Sequence, residues 1–140
     1  LIDFIRVRVS KAGGITQCRK IATLCEWFGV HTAFQEGGDN DPVNQMAAAQ
    51  LDMAIWNFGI QEENHFAPEE LEIFPGHAIL DGGYLYVNDG PGLGMDIDED
   101  KAKRLLNGEA ITRHYRAGTP SAGQPSKPGD RRADGTIVRP

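Results

Sequence analysis

Three short groups of residues carry the side chains that could do chemistry: Arg6 with Arg8, then Gln35, Glu36 and Asp39, then Gln61, Glu62 and Glu63. A guanidinium beside carboxylates and an amide suits a small, anionic, hydroxylated molecule, because the cation answers an acid group while the carboxylates and amides take hydroxyls. The groups lie far apart in the chain. Only a fold that brings three separate segments to one mouth would assemble them.

Other motifs do not hold. Asp96, Asp98 and Asp100 imitate the start of a calcium-binding loop, but Lys101 stands where the sharp turn needs Gly and Asn107 where the bidentate Glu belongs. The glycines of GPGLG at 90–94 follow a turn and precede an acidic stretch instead of opening a helix after a strand, so they make no phosphate loop. His31, His65, His77 and His114 form no ligand-spaced set. Cys18 and Cys25 fall on one predicted helix, roughly 10.5 Å apart along its axis, too far for a disulfide, and read as buried thiols of a reducing compartment.

Composition narrows the partners. In 140 residues, 14 Lys and Arg face 20 Asp and Glu, a formal net charge of -6, and no basic stripe offers a surface for nucleic acid. No apolar run reaches the 18 or so residues of a membrane span, and the first residues are not arranged as a signal peptide, so a soluble, cytoplasmic protein is expected. The 40% of hydrophobic residues suffice for a packed core. The chain starts at Leu1, without Met, inside a strand-like run, and is expected to be part of something larger.

The elements that would position the three groups follow from periodicity. Residues 2–9, IDFIRVRV, predict a strand, and Gly13-Gly14 breaks the chain before a helix with Ile15, Cys18, Ile21 or Ala22, and Cys25 at helical spacing and Gly29 as its stop. Val30 to Phe34 predicts the next strand. Asp41 as N-cap and Pro42 at the first helical position then start a helix running to about Ile55. Trp56 to Ile60 predicts a third extended segment. After Glu62 the spacing predicts a short helix begun by Pro68, two short extended pieces around Gly82-Gly83, and a final helix capped by Asp98 through about Leu106. Residues 107–140 read as an extended tail.

Strand, helix, strand, helix, strand implies an α/β fold with a parallel sheet and right-handed crossovers, either doubly wound or a (β/α)8 barrel. Ile5, Val7 and Val9 would share one face and Arg6 and Arg8 the other, whereas a parallel strand in an open sheet is apolar on both. A barrel strand can carry charge near its C-terminal mouth, so the barrel is the expected architecture. Three strands do not close one. A whole barrel takes about 250 residues, so five further units are expected upstream. Residues 1–65 would be the last three strands with their helices, 66–106 a C-terminal segment packing on the barrel and returning toward a capping domain, and 107–140 the tail. At such a mouth Arg6, Asp39 and Glu62 read as site residues because of where their strands end; Glu36 and Glu63 read as solvated loop charges, and Arg8 as one half of a structural ion pair.

The stretches IDFIRVRVSKAGGIT, GGD followed by NDPV, NFGIQEENHF and GGYLYVNDGPGLGMDIDE resemble the C-terminal part of the mandelate racemase and enolase superfamily, most closely the mannonate dehydratase family and its starvation-sensing or galactonate dehydratase-like relatives. The resemblance covers Leu1 to Glu99, and the closing DGTIVRP is similar to family C-terminal sequence. It implies a Mg²⁺-dependent lyase whose metal ligands and proton-transferring Tyr and His lie on earlier strands, outside this chain. It matches Arg6 to a substrate-contacting arginine, Asp39 to an aspartate after the seventh strand and Glu62 to a glutamate after the eighth.

Where active mannonate dehydratases carry a His four residues before that aspartate, this chain has Gln35, which binds a hydroxyl but exchanges no proton near neutral pH. The resemblance therefore implies the substrate-binding side (Arg6, Gln35, Asp39, Glu62) of an acid-sugar dehydratase acting on a mannonate- or gluconate-type acid. The parent would be a homo-oligomer with neither nucleic-acid nor membrane partners. The alternative is a catalytically silent or regulatory sugar-acid-binding protein that keeps the fold.

Overall fold

The computed structural model describes residues 2–35, 40–106, 130–131 and 137–138. It begins with β1 (Phe4–Val7), a single helical turn α1 (Val9–Ala12), and α2 (Ile15–Trp27). Gly13 and Gly14, at φ 101° and 88°, turn the chain between the two helices in a conformation that a β-carbon disfavours. β2 (His31–Phe34), α3 (Pro42–Met53) and β3 (Phe58–Gln61) follow. The start of α3 is as its sequence dictates: Asp41 Oδ1 accepts the Asn44 N–H at 2.8 Å, and Pro42 occupies the first turn, where an N–H would have no partner.

The first strand is shorter than its apolar alternation suggests. The chain leaves the sheet after Val7, and the Arg8 carbonyl accepts the N–H groups of Lys11 at 3.2 Å and Ala12 at 2.9 Å. Val9, which would extend the alternation, is instead buried as the first residue of α1, at 3% exposure. An apolar side chain there satisfies a strand or a turn that folds onto the core, so alternation alone does not separate them.

The strands form a parallel sheet in the order β1-β2-β3. The last rung joins Val7, Phe34 and Gln61, so all three strands end at one level. The ladder continues one step further, with Gln35 N–H donating to the Val7 carbonyl at 2.7 Å and Glu62 N–H to the Phe34 carbonyl at 3.1 Å. Between β2 and β3 the register shifts: Thr32 pairs with Phe58 but Ala33 pairs with Ile60, leaving Gly59 as the extra residue of a bulge. A β-carbon at Gly59 would lie 2.5 Å from the Phe4 ring and 2.9 Å from the Thr32 carbonyl oxygen, so only glycine fits without a shift.

One face of the sheet is covered by helices. Val9, Cys18, Phe34, Ala47, Ala48 and Leu51 form the core cluster, with Val7, Ala12, Ile55 and Leu93 at its margin. Both cysteines are buried within this layer and form no disulfide. Burying six such side chains supplies the main drive for docking α2 and α3, on the order of 1.5–3 kcal/mol for each of the large ones. Asn57 is one of several buried polar residues, and its amide donates to the carbonyls of Ala22 and Val30, each at 2.9 Å.

Beyond β3 the chain forms α4 (Pro68–Leu71), a hairpin of β4 (Ile79–Asp81) and β5 (Tyr84–Tyr86), and α5 (Glu99–Leu106). Gly82 and Gly83, at φ 55° and 85°, make the two-residue hairpin turn. Asn88 ties this region together. Its Nδ2 donates to the Gly76 carbonyl at 2.7 Å and its Oδ1 accepts the Gly90 N–H at 2.8 Å, while Gln50 of α3 donates to the carbonyls of Asn88 at 3.4 Å and Leu93 at 3.2 Å. Asp98 caps α5 through the Lys101 N–H at 2.9 Å.

By contact density the chain divides into Leu1–Ala102 and Lys103–Pro140. In the second unit β6 (Asp130–Arg131) pairs antiparallel with β7 (Ile137–Val138), a local pairing that the reading of 107–140 as an extended tail does not contain. The rest of that stretch lies outside the described residues. No described helix is long and apolar enough to cross a membrane.

Candidate active site

Arg6 and Glu62 meet. The Arg6 guanidinium, through Nη2, donates to both carboxylate oxygens of Glu62, at 2.9 Å to Oε1 and 2.7 Å to Oε2. The residues are 56 positions apart and belong to segments that flank β2, so the contact is a product of the sheet and not of local sequence. Arg6 stands on the rung Arg6–Ala33–Ile60, and its side chain must cross β2 to reach Glu62. Ala33 between them presents only a methyl group on the shared face. Both partners remain accessible, at 59% of the Arg6 side chain and 40% of that of Glu62, so the pair itself adds little stability. Accessible and charged, it is available to a ligand.

The bulge at Gly59 decides which face Glu62 presents. Without the extra residue Gln61 would slip into the rung of Gln35, and every later side chain of β3 would turn to the opposite face. Two amides hold the segment after the strand: Gln61 Nε2 donates to the Glu62 carbonyl at 2.7 Å, and Gln45 of α3 accepts the Asn64 N–H at 3.1 Å. Gln61 belongs to the third group singled out in the sequence, there as a possible ligand contact, whereas nothing in the sequence marks Gln45.

Gln35 is half-buried one step beyond β2, in the same row of strand ends as Glu62. Arg8 is buried at 7% exposure, takes part in an interaction of its own, and lies beyond the strand instead of within it. Glu63, expected as a solvated charge, has a side chain only 20% exposed, with an oxygen 3.4 Å from His65 Nδ1. Asp39 and Glu36 lie outside the described residues.

Among the described residues no group of three or more His, Cys, Asp or Glu side chains stands close enough to hold a metal ion. Glu62 has its oxygens committed to a guanidinium, whereas a Mg²⁺ ion needs several oxygens in octahedral array. The described residues do not make a metal cage, and their chemistry is that of recognition: a cation donating N–H groups, a carboxylate accepting hydroxyl protons, and a half-buried amide able to do both.

Residues 1–101 match the enolase C-terminal domain-like family. The chain belongs to that family. In its superfamily this domain is the (β/α)8 barrel, and the three parallel strands with their helices are the C-terminal portion of one. A D-galactonate dehydratase family member of Paenibacillus sp. strain JDR-2 is 61% identical over all 140 residues, which are 32% of its own length. A member of the same family from Salmonella enteritidis is 43% identical over 140 residues, and the D-mannonate dehydratase of Caulobacter vibrioides 43% identical over 104. Among solved structures, an enolase from Pantoea ananatis with bound D-gluconate and Mg is similar at a TM-score of 0.71 and 47% identity, over 74% of this chain and 25% of that one. A mandelate racemase/muconate lactonizing enzyme from Jannaschia sp. CCS1 follows at a TM-score of 0.66 and 26% identity, over 73% of this chain and 26% of that one. This enolase-type chain thus spans about a third of the length of its curated relatives.

Proposed function

We propose that the chain is the substrate-binding side of the barrel of an acid-sugar dehydratase, a lyase that removes an α-proton and then the β-hydroxyl of a mannonate- or gluconate-type acid. The observation that carries this reading is the Arg6–Glu62 pair at the level where β1, β2 and β3 end together. Arg6 donates to the acid group or a hydroxyl, Glu62 accepts from a hydroxyl, and Gln35 beside them holds a further hydroxyl. Asp39, outside the described residues, is taken in this reading as a further substrate group. Gln35 neither takes nor gives a proton near neutral pH, so proton transfer falls to groups outside this chain. Mg²⁺, present with D-gluconate in the similar Pantoea protein, belongs to the reading as the cofactor, on ligands outside this chain. Residues 1–65 act as barrel and 66–106 as a segment returning toward a capping domain. In this reading the parent is a cytoplasmic homo-oligomer, and the absence of a disulfide between the buried Cys18 and Cys25 accords with a reducing compartment.

Gln35 favours a second reading, a protein that binds acid sugars without dehydrating them. One experiment separates the two. The full-length polypeptide is incubated with Mg²⁺ and a panel of hexonic acids, with the 2-keto-3-deoxy acid product assayed and binding measured calorimetrically. Product from a hexonate bears out the dehydratase. Saturable binding without product bears out the silent relative, and neither binding nor product overturns both.

A further inference from the structure

We propose that Gln45 is a positioning residue that sets the orientation of Glu62, an inference that rests on Glu62 being a substrate group. Gln45 is 3% exposed on a helix whose other buried positions are largely apolar, among them Met46 and Ala48 at 0% and Leu51 at 3%. A primary amide in such surroundings is costly unless it is bonded. Its Oε1 accepts the backbone N–H of Asn64, reaching from α3 to the segment that follows β3. That segment has three holds. The Glu62 N–H donates to the Phe34 carbonyl, a ladder bond that no side-chain change removes. Gln61 Nε2 holds the Glu62 carbonyl at 2.7 Å. Gln45 supplies the third, two residues further along, where the ladder has ended and α3 takes over the hold on the backbone.

The same turn of α3 secures the neighbouring loop. The Gln45 N–H donates to the Asp41 carbonyl at 3.2 Å, and Asp41 caps the helix through Asn44. One rigid helical start therefore carries the end of the β2–α3 connection and the far end of the segment bearing Glu62. Substrate hydroxyl recognition needs the Glu62 carboxylate aligned to within a fraction of an ångström, and rotation of residues 62–64 would swing it away from Arg6. Gln45 acts on the ligand only through Glu62.

The test uses the full-length polypeptide with D-gluconate as probe, three single variants, Gln45→Met, which keeps length but loses the acceptor, Gln45→Glu, which keeps an acceptor, and Glu62→Gln, and one double variant. Amide exchange at residues 62–64 is read first, without ligand. Faster exchange at Asn64 in Gln45→Met, restored in Gln45→Glu, is the expected result, and unchanged exchange overturns the proposal. D-Gluconate affinity is read next. Gln45→Met is expected to weaken it about tenfold, the effect of an unmade hydrogen bond at a partly buried donor, and the Gln45→Met, Glu62→Gln double variant is expected to bind no more weakly than Glu62→Gln alone. Additive losses overturn the positioning role, since a merely structural defect would add. If Glu62→Gln binds like wild type while exchange at Asn64 still responds to Gln45→Met, it is the substrate reading of Glu62 that fails, and the inference about its orientation for a ligand falls with it.

Discussion

Asn57 and Val30 are joined by a side-chain bond that replaces a rung of the sheet: the Asn57 amide donates to the Val30 carbonyl at 2.9 Å, and the Asn57 carbonyl receives the Thr32 N–H at 2.8 Å. The second amide proton goes to Ala22, in the middle of α2. Asn57 thus fastens a helix to two strands just before β3 begins. Asn57→Ala removes both side-chain bonds, the one to Val30 and the one that supplements the helical bonding of the Ala22 carbonyl, and is expected to lower stability by about 1–3 kcal/mol, read as a drop in the urea midpoint of the full-length polypeptide. An unchanged midpoint would contradict this role.

Gly59 faces a steric demand from three sides, with Phe4, His31 Cβ and the Thr32 carbonyl oxygen all within 2.9 Å of where a β-carbon would stand. Gly59→Ala is expected to cost about 1–3 kcal/mol. Part of that loss should return in the Phe4→Leu background, where the ring is gone, but the contact with the Thr32 carbonyl remains. Denaturant titration of the two single variants and the double variant checks it, with additive losses as the contrary result.

Ala33 lies on the rung between Arg6 and Ile60, in the path of the guanidinium. Ala33→Leu is expected to separate Arg6 from Glu62 and to weaken acid-sugar binding at least fivefold, while stability changes by less than about 1 kcal/mol because exposed ion pairs contribute so little. Calorimetric titration with D-gluconate, beside a thermal melt, decides between them.

Arg6→Met removes the cation itself. Charge-assisted hydrogen bonds to a ligand contribute about 1.5–3 kcal/mol each, so binding of an acid sugar should fall by roughly that amount, with a weaker dependence on salt than in wild type. Binding that is unaffected at both low and high salt would remove Arg6 from the site.

Gln35→His introduces a group that titrates near neutral pH at a half-buried position next to Glu62. Turnover of mannonate is expected to rise relative to wild type and to acquire a pH dependence in the range where imidazole gains its proton. Turnover that stays flat across a hexonate panel would mean that the position does not face the reacting carbons.

The parts of this arrangement that were legible in the sequence are those encoded by contiguous residues. The Asp41–Pro42 start of α3, the Gly82-Gly83 turn and the Asp98 cap each depend on chemistry within a few positions, and each stands where its residues point. The parallel order of three strands followed from alternation with helices. The Arg6–Glu62 contact was legible only as a shared level, because the strands must first be aligned before a 56-residue separation closes. The exit of the chain at Arg8 was hidden by Val9, whose apolar side chain serves the core from a helical turn. Gln45, Asn57 and Gly59 were not legible, since each acts on a backbone group that is distant in sequence or on a register shift that no periodicity reveals, and Gln61 was legible as a residue of the strand ends but not as a brace on its neighbour's carbonyl.

The bonds that close residues 73–98 on themselves have a practical consequence. Asp98 N–H meets the Ile73 carbonyl at 2.8 Å and Asp96 N–H the Pro75 carbonyl at 3.0 Å, with Asn88 braced against Gly76 inside the ring they make. The β4–β5 hairpin projects from this closed neck, and its tip at Gly82-Gly83 touches nothing within 4 Å of either glycine's missing β-carbon. Extra chain spliced in at that tip would lengthen a loop whose base is already clamped, at a closure cost that grows only slowly with its length. Within this chain the hairpin is thus a graft point, where a short epitope would lengthen a loop that is already closed at its base.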